Sequence, residues 1–73
     1  MESRKFPYTL WIGTEPETVR NPYTGDKCTL PPDAVAVYDF TKGCEMTSNW
    51  EGVQAGCDWF RQHFPAEYYT LLD

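Results

Sequence analysis

The sequence predicts an α+β fold in which an N-terminal β-hairpin or small antiparallel sheet packs on two to three C-terminal helices. Three observations carry that expectation. The turn-rich stretch NPYTGD separates two short extended pieces, Pro31-Pro32 closes the sheet-like part, and Val53, Cys57, Phe60 and Phe64 recur four, three and four residues apart, as one stripe of a helix does.

Taken in order, YTLWI at 8–12 is aromatic and β-branched enough for a strand that Gly13 and Pro16 would stop. Extended pieces follow at about 17–20 and 27–30. Asn21-Pro22 and Gly25-Asp26 break the chain between them, and Gly25 is the natural position for a positive φ. Proline donates no ladder hydrogen bond, so the sheet part ends at Pro31-Pro32 and Asp33 is placed to N-cap a helix starting at Ala34. At 100° per residue, Val37, Phe40, Thr41 and Cys44 share a face of that helix, while Val35, Asp39, Lys42 and Met46 lie on the other. The helix ends either at Gly43, as a C′ residue, or at Met46 after running through the glycine.

Ser48 or Asn49 caps a second helix with Glu51 in its first turn. Its stripe of Val53, Cys57, Phe60 and Phe64, flanked by Gly52, Gly56, Trp59 and His63, makes it apolar over a wide arc. It is therefore expected at the centre, between the first helix and the hairpin, and the expected core is Val53, Cys57, Phe60, Phe64, Val37 and Phe40. Pro65 can open a last short helical turn that packs Tyr68, Leu71 or Leu72. The chain reads as one domain over 1–73, with a hairpin part at 1–32 and a helical part at 33–73.

A chain of 73 residues with 41% hydrophobic and 16% aromatic content has enough apolar material for one core and no room for a second. No apolar run approaches the ~20 residues of a membrane helix, and MESRKFPYTLW has no apolar segment after its basic residues. A cytoplasmic protein with no membrane partner is expected. Cys28, Cys44 and Cys57 are odd in number and lack any CxxC spacing, so they read as free thiols of a reducing compartment. A zinc site would have to take these three and His63 singly from separate elements, whereas structural zinc ligands come as closely spaced pairs. No metal and no cofactor are expected. The charges of residues 1–32 cancel, so the net −5 lies entirely in 33–73. A negative field repels phosphate backbones, which argues against direct nucleic-acid binding.

Catalysis by a general base or a cysteine–histidine pair would have to use His63, the one histidine. Cys57 lies six residues before it, about 240° around the helix, and no Gly-rich phosphate loop, HExxH or serine-triad pattern is present. The chain is read as non-enzymatic. What remains is binding. Val35, Tyr38, Asp39, Lys42 and Met46 mix apolar and charged character on the face of the first helix expected to point outward, and Tyr23 at the hairpin tip extends it; these six are the candidate partner-binding residues. A homo-oligomeric structural protein is the alternative, with a homodimer through the Gly52-xxx-Gly56 flank, although close packing inside the chain is preferred for those glycines. A further alternative is an acidic nucleic-acid mimic that blocks a DNA- or RNA-binding protein, carried by Asp33, Asp39, Glu45, Glu51 and Asp58.

The segments NPYTGDKCTLPPDAVAVYDFTKG and GCDWFRQHFPAEYYTLLD, through their NP-TG, LPPDAVAVYD, DWFR and YY-LLD elements, resemble small uncharacterised proteins encoded by tailed bacteriophages. The resemblance spans most of residues 20–73 and brings no catalytic residues with it. It implies life in a bacterial host's cytoplasm and a role as a modulator or inhibitor of a host protein.

Overall fold

The computed structural model describes Phe6, Tyr8 and residues 10–72. Its elements are, in order, β1 (Glu17–Arg20), β2 (Lys27–Leu30), α1 (Pro32–Met46), α2 (Trp50–His63) and α3 (Pro65–Leu71). This is the small α+β arrangement read from the sequence, a two-stranded antiparallel sheet followed by helices.

The hairpin pairs Glu17 with Leu30, Thr18 with Thr29, Val19 with Cys28 and Arg20 with Lys27. Alternation turns Val19, Cys28 and Leu30 toward the helices and leaves Thr18, Arg20, Lys27 and Thr29 exposed. Asn21 organises the turn. Its Oδ1 accepts from the Tyr23 N–H at 2.8 Å, its carbonyl accepts from the Gly25 N–H, and Gly25 takes the positive φ of 81° that the turn requires. Asn21 is itself buried, and its Nδ2 donates to the Thr70 carbonyl at 3.0 Å. That carbonyl belongs to the last turn of α3, where helical carbonyls have no partner within the helix. A turn residue thus caps a helix 49 positions away.

The strand expected at 8–12 is absent: Tyr8 and Leu10–Ile12 are irregular, and Thr9 lies outside the described residues. Two of its side chains, Tyr8 and Leu10, find partners without strand pairing. Tyr8 packs on Phe40 with ring centroids 4.7 Å apart, Leu10 packs against the core, and Trp11 is 86% exposed. Strand propensity measures fit to a pleated, half-buried surface, and the hairpin offers this segment none.

Helix α1 begins two residues earlier than an Asp33 cap would place it. Pro31 is the extended N-cap residue and Pro32 occupies the first turn, where a missing N–H costs nothing. Asp33 is instead a first-turn carboxylate whose Oδ1 accepts from the Ala34 N–H. The helix runs through Gly43 to Met46, and Ser48 then takes a left-handed φ of 58° at the corner. Asn49 caps α2, its Oδ1 accepting from the Gly52 N–H at 3.2 Å.

The packing order differs from the expectation of an α2 placed between α1 and the hairpin. The hairpin rests on α1 and α3, while α2 packs chiefly on α1 and also on α3. Because α1 is enclosed from two sides, Val35 and Tyr38 are 8% and 7% exposed, not outward-facing. The core consists of Leu30, Ala34, Val35, Val37, Tyr38, Trp59, Phe60 and Leu71. Phe60 and Val37 were expected there, whereas Phe40, Val53, Cys57 and Phe64 are only partly buried. On α2 the buried residues are Phe60 from the expected stripe together with Gly52, Gly56 and Trp59 from the strip beside it. The two glycines decide this rotation. A Cβ at Gly52 would meet the Cys44 Sγ and one at Gly56 the Thr41 Oγ1, so side-chain-free positions let the helix backbones close on each other.

Candidate functional site

A concave surface lies between the C-terminal half of α1 and the hairpin turn. Arg20, Pro22 and Tyr23 form one wall, Lys42, Glu45 and Met46 the other, and Tyr38 contributes from the buried side; the cavity encloses about 500 Å³. The walls owe their positions to separate local causes. Asn21 holds the turn that presents Pro22 and Tyr23, and continuation of α1 through Gly43 carries Glu45 and Met46 out to the rim.

Tyr23 and Met46 are 90% and 88% exposed, so the groove has two unburied apolar lips above a packed phenol. Burial pushes the Tyr38 hydroxyl above its ordinary pKa, Lys42 opposes the shift, and Glu45 and Asp39 add to it. The ring therefore stays neutral at physiological pH. Lys42 Nζ lies 5.7 Å from the Tyr38 ring centroid and 3.1 Å from a Glu45 carboxylate oxygen, so its charge is already engaged. Arg20 differs. It stands directly opposite Lys27 in the strand register, and among the described residues neither forms an ion pair.

Of the six residues selected from the sequence, Tyr23, Tyr38, Lys42 and Met46 meet in this groove. Val35 does not; it lines a smaller depression of about 70 Å³ with Trp11, Gly13, Glu15, Glu17, Pro32 and Ala36. Asp39 is exposed and outside the lining. Arg20, Pro22 and Glu45 were missed. Arg20 was within reach of sequence reasoning, since the hairpin drawn from 17–20 and 27–30 already places it beside the turn. Nothing local indicates that the turn lies along α1.

The groups that could support chemistry are arranged for packing. His63 sits with its ring centroid 5.1 Å from that of Trp59. Burial raises the Cys57 thiol, against the pull of Arg61, and burial with Glu67 raises Cys28, so both remain protonated and weakly nucleophilic near neutrality. Cys44 is buried in the α1–α2 seam, where Asn49 Nδ2 approaches its sulfur. Among the described residues no group of three or more His, Cys, Asp or Glu side chains is arranged to hold a metal ion, and no helix is long and apolar enough to cross a membrane. Of the acidic series, Glu45 pairs with Lys42 and Asp58 with Arg61, while Asp39 and Glu51 are exposed. No family model matches the chain, and no curated protein or solved structure is recognisably similar to it.

Proposed function

We propose that this protein is a non-enzymatic protein-binding module whose contact surface is the groove between the hairpin turn and α1. The observation that carries the reading is the pair of apolar lips, Tyr23 and Met46, left almost fully exposed on either side of the packed Tyr38. Exposed aromatic and methionine side chains beside a concavity are what interfaces enrich, tyrosine as an anchor and methionine as an adaptable filler. The phage resemblance makes a bacterial host protein the first class of partner to test.

The test is affinity capture from bacterial lysate with wild type and with Tyr23→Ser/Met46→Ser, both tagged. Substitutions at exposed positions leave folding nearly unchanged, which a melting curve checks. A species retained by the wild type and lost with the double variant supports the reading; identical captures from the two proteins sink it.

A further inference from the structure

We infer that the occupant of the groove is an acidic peptide segment, one whose carboxylate bridges Arg20 and Lys27 while a neighbouring apolar side chain lies between Tyr23 and Met46. This rests on the groove being a binding surface and specifies what it binds.

The argument begins with the two cations. Directly opposed residues of an antiparallel pair have Cα atoms about 4.5–5.5 Å apart, and like charges at such positions destabilise the sheet. Arg20 and Lys27 are opposed in this way, on the exposed face of the hairpin, with no ion pair among the described residues. Their repulsion is relieved by an anion that reaches both, and a single carboxylate can do so at that spacing, with the arginine offering a forked donor. Among the described residues, the other lysine and arginine are already engaged. Lys42 is held by Glu45 and by the Tyr38 ring, and Arg61 by Asp58 and by the Tyr68 ring. Arg20 lines the groove and Lys27, outside the lining, stands opposite it in the register, so the hairpin end of the groove sets two cations without an ion pair among the described residues beside exposed apolar surface, with Glu17 and Asp26 as the nearest carboxylates along the strands.

A protein segment suits this surface better than a nucleic acid. Two cations can neutralise one or two acidic side chains, but a phosphate backbone carries a charge at every nucleotide and would meet the field of Asp39, Glu51 and the remaining carboxylates. The same carboxylates favour one orientation, because an acidic side chain is attracted at Arg20 and Lys27 and repelled where Asp39 and Glu51 stand.

Fluorescence anisotropy tests the inference with labelled peptides of equal length alternating Glu and Leu, Gln and Leu, or Lys and Leu, and with a short oligothymidylate. The Glu–Leu peptide should bind wild type about tenfold more tightly than the Gln–Leu peptide, and added salt should erode that preference. Arg20→Glu/Lys27→Glu should invert the order in favour of Lys–Leu, while Tyr23→Ser/Met46→Ser should weaken every peptide without changing the order. No binding of the Glu–Leu peptide, equal affinity for the Glu–Leu and Gln–Leu peptides, a wild-type preference for Lys–Leu, or tighter binding of the oligothymidylate overturns the acidic occupant. So does a dimer seen by sedimentation for wild type and lost in Arg20→Glu/Lys27→Glu, which would assign the groove to a second copy. Peptide binding indifferent to Tyr23→Ser/Met46→Ser is a different failure, that of the groove itself.

Discussion

Gly56 lies so close to Thr41 that a Cβ on the glycine would overlap the threonine hydroxyl, which donates to the Val37 carbonyl at 2.8 Å and is fully buried. The hydroxyl is fixed by its own helix and cannot swing aside without leaving a buried donor unpaired. Gly56→Ala gains about 1 kcal/mol of helix propensity but meets an overpacking cost of about 1–3 kcal/mol, so net destabilisation is expected by urea titration. Gly43 is the control. It is exposed, with open space where a Cβ would stand, so Gly43→Ala should stabilise by about 0.5–1 kcal/mol. Equal responses of the two glycines would show that the α1–α2 seam is looser than described.

Tyr38 belongs to the core although the sequence placed it outside. Tyr38→Ala should therefore unfold or nearly unfold the protein, as should Phe60→Ala, each at about 3–5 kcal/mol, whereas Tyr38→Phe keeps the packing and should stay within about 1 kcal/mol of wild type. Thermal melts of the three variants check this. A stable Tyr38→Ala protein would return the residue to the surface.

Asn21→Ala should cost about 1–3 kcal/mol, because it withdraws the Nδ2 donor from a helix-end carbonyl and the Oδ1 acceptor from the turn at once. Thr70→Ala leaves that carbonyl in place and should cost much less. Hydrogen exchange locates the effect. In Asn21→Ala the amides of both β1 and α3 should lose protection together, and loss confined to the turn would mean that the long-range bond contributes nothing.

Cys28, Cys57 and Tyr38 all hold their protons more tightly folded than unfolded, chiefly through burial. Their stabilising contribution is complete below the unfolded pKa values and is lost as pH rises through the folded ones. Stability should thus decline on the alkaline side as pH rises through about 8.5, where unfolded thiols are half ionised. Denaturant midpoints taken across that range should fall less steeply for Cys57→Ala and for Tyr38→Phe than for wild type. A flat alkaline profile in wild type would contradict the burial of these groups.

The hairpin and the corners between helices were legible because each rests on residues with local conformational demands: Asn21 and Gly25 in the turn, Asn49 at a helix start, Pro65 opening α3. The buried face of α1 was not legible, since Val35, Val37 and Tyr38 point in several directions around the helix and only the elements packed on it decide which of them are covered. On α2 the apolar stripe drew attention from the glycines beside it, although the absence of side chains there determines how closely α1 approaches. The groove was half visible. Its residues could be picked by chemistry, but the wall supplied by Arg20 and Pro22 depends on how the hairpin docks, which no spacing encodes.

The bond from Asn21 to Thr70 also sets an order of events on the ribosome. Chains emerge N-terminus first, so β1, the turn and β2 leave the exit tunnel before Thr70 does. A two-stranded hairpin is marginally stable by itself, and until α3 arrives the Leu30 face has no cover from that side. The nascent hairpin is therefore open to proteases and chaperones between its own emergence and that of α3. Limited proteolysis of stalled chains should show this: cleavage near the turn for chains halted before Thr70, and resistance once a linker has pushed Thr70 clear of the tunnel.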